Sequence, residues 1–158
     1  MIAMELDRIN LKLLNALQVD ARRPIAEIAE EIGLTTSPAY RRQRLLEEAG
    51  IIDKYVTLLD NNKLGLRVSV FVSVEVNALA DEDFEAAVEK LPEVMECYLM
   101  TGETDYLLRV VAADIDHYQS FLTKRLMKIP AVRAVRTSLV LRRVIHKTAL
   151  PVELAVRS

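Results

Sequence analysis

One cysteine, Cys97, is all that the chain contains. That excludes an internal disulfide framework and a thiolate zinc site, and makes a reducing cytoplasm the expected setting. Histidine is nearly as scarce: His117 falls in a polar helical turn and His146 at a strand end, neither with a ligand or catalytic companion at short spacing. There is no glycine-rich phosphate loop, nucleophile elbow or metal signature, so no catalytic residue, metal ligand or cofactor is expected. No stretch approaches the ~18 uncharged apolar residues of a membrane span. Glu5, Asp7 and Arg8 interrupt the apolar start where a signal peptide would be continuous. A soluble intracellular protein follows as the expectation. An excess of positive charge is missing too: 21 Lys+Arg against 23 Asp+Glu leave −2. Before Leu59, 8 basic residues (Arg8, Lys12, Arg22, Arg23, Arg41, Arg42, Arg44, Lys54) meet 9 acidic ones. Any role with nucleic acid therefore depends on where particular arginines point, because phosphates respond to the local field within about 8–10 Å.

What is present is pattern. The 158 residues suffice for one domain or two small ones. Asp7 suits the N-cap of a first helix reaching about Val19, with Leu6 and Leu11 placed for a hydrophobic staple and Leu6, Ile9, Leu13 and Leu17 facing a core. Pro24 and Gly33 bracket a second short helix bearing Ile25, Ile28, Ala29 and Ile32. A third is expected from Ser37 as cap, with Pro38 at its first position, ending near Gly50. Two helices, a glycine-containing turn and a second helix with outward positive charge match the helix-turn-helix that enters the DNA major groove. Ile51 to Leu59 reads as short extended segments, the "wing" of such a motif, and Asp60 to Gly65 as a polar linker.

Strict alternation of Val68, Val70, Val72, Val74 and Val76 marks a half-buried strand. A helix capped by Asp81 follows, with Phe84, Ala87, Val88 and Leu91 inward and Pro92 as stop. Val94 to Met100 and Tyr106 to Ala112 read as two strands joined by the turn Thr101 to Asp105. A helix from about Ile115 to Pro130 carries Tyr118, Phe121, Leu122, Leu126 and Ile129 inward, and a last strand runs from Arg133 to about His146. Strand, helix, strand, strand, helix, strand is the split, ferredoxin-like arrangement. The expected class is therefore α+β: residues 1–59 a winged helix-turn-helix, 60–66 a linker and 67–158 a ferredoxin-like βαββαβ domain. Helices cover one face of such a sheet, and a second copy is the simplest cover for the other.

At about 100° per residue, Ser37, Arg41, Arg44 and Glu48 fall within roughly 60° of one another, opposite Ala39 and Leu46. Arg41 and Arg44 are expected to read bases, since a guanidinium fork matches the acceptor pair on guanine. Arg42 points to the flank, where a phosphate contact suits it, with Ser37 also positioning the backbone. The alternative is a solvated helix face with ordinary ion pairs such as Arg44 with Glu47 or Glu48. Gln43 lies on the inward half of the helix and needs a hydrogen-bond partner there, or a rotated helix.

Several stretches carry a resemblance: Leu6-Asp7-Arg8-Ile9 with Leu13-Leu14, Ile28-Ala29 before Gly33-Leu34, Ser37-Pro38 with Arg41-Arg42, Leu46 to Ile52, and Lys63 to Leu66. Thr101-Gly102 with Asp105 to Val110, and Thr148 to Pro151, extend it. In this order they span nearly the whole chain, which resembles the Lrp/AsnC regulators of bacteria and archaea, the feast/famine regulatory proteins. The resemblance implies a transcriptional regulator rather than an enzyme, with double-stranded DNA and an amino-acid effector as partners. It also implies that the C-terminal domain, of the regulation-of-amino-acid-metabolism type, assembles homodimers into tetramers or octamers. The implied DNA-binding set is Thr36, Ser37, Pro38, Tyr40, Arg41, Arg42 and Arg44. Family members usually carry an aliphatic residue where this chain has Gln43, and a basic one where it has Leu45.

The turn Thr101, Gly102, Glu103, Thr104, Asp105, with Tyr106, has two readings. As structure it is a hairpin connection in which Gly supplies the unusual backbone angle. As a site it offers hydroxyl and N–H donors to an amino acid's carboxylate, and Glu103 and Asp105 to its ammonium; the resemblance places an effector pocket between dimers here. The competing class is a ferredoxin-like metabolite-binding protein or small enzyme whose N-terminal helices serve assembly. Cys97 is expected as a small buried side chain, and Arg142 and Arg143 as a solvated edge or interface rim.

Overall fold

The computed structural model describes residues 6–77 and 81–155. They fall into two compact units, one running to Thr57 and regaining the chain from Ile145, the other Leu58–Val144.

Three helices build the first unit: α1 Arg8–Val19, α2 Ile25–Ile32 and α3 Thr36–Glu48. Asp7 caps α1 as expected, its carboxylate accepting the Asn10 N–H at 2.7 Å. Gly33 ends α2 in the left-handed region at φ 77, where only glycine avoids a Cβ penalty. Leu13, Leu14, Ala16, Leu17, Ile28, Ile32 and Leu46 close the core, with Leu6, Ile9, Leu34 and Ile52 packed at its edge. Residues 51–59, expected as short extended segments, join no strand ladder among the described residues. The tail from Ile145 clusters with this unit, whereas the sequence pattern groups it with the C-terminal domain. The Gln18 amide donates to the Leu150 carbonyl at 3.1 Å and accepts its N–H at 2.6 Å. Asn15 donates to Glu153 at 2.6 Å, and Val152 packs on the core from a 3₁₀ turn, Val152–Leu154.

The second unit is an antiparallel sheet in the order β2-β3-β1-β4, with β1 Val68–Val76, β2 Val94–Leu99, β3 Tyr106–Ala112 and β4 Val132–Leu139. Two helices, α4 Asp81–Val88 and α5 Ile115–Lys124, cover one face. Val70, Val72, Val74, Phe84, Tyr106, Leu108, Val110 and Leu126 are fully buried between them. Phe84 and Tyr106 rings meet at 4.6 Å. Asp114 caps α5 by accepting the His117 N–H at 2.8 Å. The cap expected at Asp81 lies outside the described residues. β4 stops well short of His146 for a plain reason: Leu139 pairs with Val70, Val140 donates to Ser69, and β1 begins at Val68, so the partner strand runs out. α5 likewise ends at Lys124 and gives way to a 3₁₀ turn, Leu126–Lys128.

Candidate nucleic-acid interface

α3 begins earlier than its proline suggested. Thr35, extended at φ −85 and ψ 163, is the N-cap, and its carbonyl accepts the Ala39 N–H at 3.2 Å. Ser37 is therefore the second helical residue and not the cap, and Pro38 the third. Proline is tolerated there because first-turn N–H groups have no intrahelical partner. Ala39 and Leu46 are wholly buried and fix the rotation of the helix. Thr36, Ser37, Pro38, Tyr40, Arg41 and Arg44 are exposed as a result.

The three arginines differ in what they are free to do. Arg41 has no ion pair or hydrogen bond among the described residues. Arg44 reaches Glu48 at 3.3 Å across an exposed helical turn, a pair worth only ~0.3–0.5 kcal/mol. Arg42 is committed: its Nη1 donates to Asp7 Oδ2 at 2.6 Å and to Asn10 Oδ1 at 2.9 Å. Arg42 is thereby tied to the start of α1. Asp7 serves twice, one oxygen capping α1 and the other holding Arg42. The Asn10 N–H first, and the Arg42 guanidinium second, hold its carboxyl below the ordinary 3.8 against the opposing effect of burial.

The opposite flank is tied as well, by a residue that pattern could not reveal. Gln43 Nε2 donates to the Tyr55 phenol at 2.9 Å and to Glu47 Oε1 at 3.1 Å, and the Tyr55 O–H donates to the same Glu47 oxygen at 2.7 Å. This triangle satisfies Gln43 without rotating the helix. Partial burial, then the Glu47 carboxylate, pushes the phenol above its ordinary 10.0, so it stays protonated and donating at neutral pH.

In the second unit, Thr101, Gly102 and Glu103 are exposed at the tip of the β2–β3 turn, Thr104 is half-buried, and Gly102 sits at φ 126. Asp105 is anchored: its Oδ2 accepts the Val76 N–H at 2.8 Å, its N–H donates to the Val74 carbonyl at 3.1 Å, and its carbonyl accepts the Met100 N–H at 2.8 Å. Tyr106 departs from the expected site. Its ring is buried against Phe84 on the helix side of the sheet, and its phenol donates to Glu85 at 2.7 Å. Alternation explains this, since consecutive strand residues face opposite ways. Cys97 is exposed rather than buried, because β2 is an edge strand; partial desolvation, then Glu85, raises its thiol. His117 does find a companion, Asp114, at 2.7 Å. Among the described residues no group of three or more His, Cys, Asp or Glu could hold a metal, and no helix is long and apolar enough to cross a membrane.

Two family models match in sequence order. The AsnC-type helix-turn-helix domain covers residues 6–47, and the Lrp/AsnC ligand binding domain covers residues 69–150. The chain belongs to the Lrp/AsnC family. It is 41% identical over 150 residues to the Bkd operon transcriptional regulator of Pseudomonas aeruginosa, across 93% of this chain and 98% of that one. It is 37% identical over 152 residues to the leucine-responsive regulatory protein of Salmonella typhimurium, across 94% and 93%. A Neisseria meningitidis transcriptional regulator, solved as a complex with L-methionine, superposes at TM-score 0.93 with 36% identity, over 96% of this chain and 100% of that one. Like its Lrp/AsnC relatives, the chain is a DNA-binding transcriptional regulator and not an enzyme.

Proposed function

We propose that this regulator reads its operator through α3, as a cytoplasmic homodimer assembling further to a tetramer or octamer, and answers to an amino acid bound at the 101–105 turn. The observation that carries the DNA assignment is the contrast among three neighbouring arginines. Arg41 is without a partner among the described residues on the exposed face, Arg44 is cheaply released from Glu48, and Arg42 is locked to Asp7 and Asn10. Arg41 and Arg44 meet base edges, Thr36, Ser37, Pro38 and Tyr40 line the approach to the groove, and Arg42 acts from within the fold by holding the helix still.

At the turn, Thr101, Thr104 and the Gly102 N–H are donors suited to a carboxylate. Glu103 and the remaining oxygen of Asp105 suit an ammonium, and the L-methionine bound by the Neisseria relative supports this ligand class. Tyr106 takes no direct part. Phe71, Leu107 and Tyr98 lie on the sheet face away from the helices, where a second copy would cover them.

The test uses DNA selected by the protein itself from a random pool, titrated at fixed salt with and without a panel of amino acids. Arg41→Ala should weaken binding by about 1–3 kcal/mol and relax preference at one base position. Calorimetry with Asp105→Asn, which retains an acceptor for the Val76 N–H, should lose the amino acid. Unchanged DNA affinity and preference would overturn the first assignment, and unchanged ligand affinity the second.

A further inference from the structure

α4 is weakly held for a helix that covers a sheet. At 8 residues it falls short of the ~12–15 at which a helix persists in water on its own propensity. Glu82, Glu85 and Glu89 follow one another at spacings of three and four, where like charges repel along a helical surface. All three line a cleft of about 710 Å³ between α4 and the edge strand β2, and no lysine or arginine lines it among the described residues.

Phe84 and Val88 fasten α4 from its inner side, by burial in the core. Glu85 fastens it from the cleft, by accepting the Tyr106 phenol at 2.7 Å. Tyr106 takes part in both contacts, since its fully buried ring lies against Phe84 at 4.6 Å. It is also the residue after Asp105, whose Oδ2 accepts the Val76 N–H at 2.8 Å and whose N–H and carbonyl are bonded to Val74 and Met100. One peptide bond therefore separates the carboxylate proposed to receive an ammonium from the side chain that fastens α4. A tyrosine side chain has only two χ angles, and this one is held at both ring and tip, so a backbone shift at Asp105 reaches α4 rather than being absorbed.

We propose that Tyr106 is a positioning residue for the effector response: an amino acid at the 101–105 turn tightens the docking of α4 on the sheet through the Phe84 and Glu85 contacts of Tyr106. This rests on the amino-acid reading of the turn proposed above. α4 is then the two-state element, docked or loosened, whose balance the amino acid biases. Linkage makes the effect mutual, so whatever loosens α4 weakens the amino acid by the same factor. Glu85 is itself exposed, so removing the phenol returns its carboxylate to water and orphans no buried charge.

The experiment uses the full chain and the twenty standard amino acids, screened by calorimetry for those that bind. Hydrogen exchange at the amides of residues 84–89 then reads the docking of α4. Alkylation of Cys97, the single cysteine, reads access to the same cleft, which it lines. A bound amino acid should slow both in the wild type by about fivefold or more. Tyr106→Phe keeps the ring and loses the phenol; it should bring both effects within about twofold and weaken the amino acid by a matching factor. Glu85→Leu should do the same. Glu85→Gln retains a carbonyl acceptor for the phenol and should keep the wild-type response, an outcome that general loosening of the unit would not produce. A Tyr106→Phe protein with the wild-type response and affinity overturns the proposal. So does a wild type whose α4 exchange and Cys97 alkylation ignore a bound amino acid. Failure of every amino acid to bind would instead overturn the reading of the turn beneath it.

Discussion

Replacing Asp7 by Ala separates the two roles open to Arg42. The carboxylate of Asp7 caps α1 through the Asn10 N–H at 2.7 Å and pairs with Arg42 at 2.6 Å. Loss of an N-cap costs ~1 kcal/mol. The ion pair adds at most ~1 kcal/mol, because its side chains are 30% and 46% exposed and solvent screens them. A total of about 1–2 kcal/mol corresponds to a fall of roughly 5–10 °C in the melting of a unit this small. Calorimetric melting of Asp7→Ala, Arg42→Ala and the double variant isolates the pair, whose coupling should be about 0.5 kcal/mol at neutral pH. The folded-state pKa of Asp7 is depressed, so its contribution is complete above the ordinary 3.8 and lost as pH falls below that value through the folded one. The deficit of Asp7→Ala should shrink over that range. Were Arg42 a phosphate contact instead, Arg42→Ala would leave melting unchanged and lower the salt slope of DNA binding by about 0.9. That result would refute the tie.

Glu48→Gln should tighten binding to the selected operator by about two- to fivefold, since it removes a carboxylate from the DNA side and frees Arg44 at a cost of ~0.3–0.5 kcal/mol; weaker binding in the same titration would show that Glu48 orients Arg44. Asp105→Ala should lower the stability of the second unit by about 1–3 kcal/mol by orphaning the Val76 N–H. Asp105→Asn should spare it, so equal melting of the two variants would count against the bond at 2.8 Å.

Periodicity made the skeleton legible because burial is periodic. Leu13, Leu17, Ile28, Ile32 and Leu46 close one core, and the alternating valines of β1 close the other, as their spacing implies. The cap at Asp7 and the left-handed Gly33 were equally open to view, being local chemistry. What escaped notice depends on partners distant in sequence. Pro38 suggested its own helix start, but the helix accepts proline anywhere in its first turn and begins at Thr36. The β-branched and aromatic residues of 51–59 looked strand-like, yet a strand requires a neighbour and none is provided within the described chain. The tie of the tail to Gln18 and Asn15, more than a hundred residues earlier, leaves no mark in the local pattern. The burial of Tyr106 on the helix side follows from strand alternation, which the turn motif by itself does not display.

The same constraint applies to α3, the helix proposed to read DNA. Among the described residues its outer surface carries one unpaired cation, Arg41, and one weakly paired, Arg44, in a chain of net charge −2. Long-range attraction to phosphates is correspondingly small, and non-specific binding with it. Discrimination must then come from presenting few contacts in a fixed geometry, which requires a helix that neither rolls nor tilts. Arg42 with Asp7 and Asn10 restrains one flank, and Gln43 with Glu47 and Tyr55 restrains the other. Two of the charges on α3 that look available for DNA, those of Arg42 and Glu47, are spent on holding it still. A helix-turn-helix with bulk positive charge tolerates looseness because attraction survives misalignment; one that relies on Arg41 and Arg44 does not.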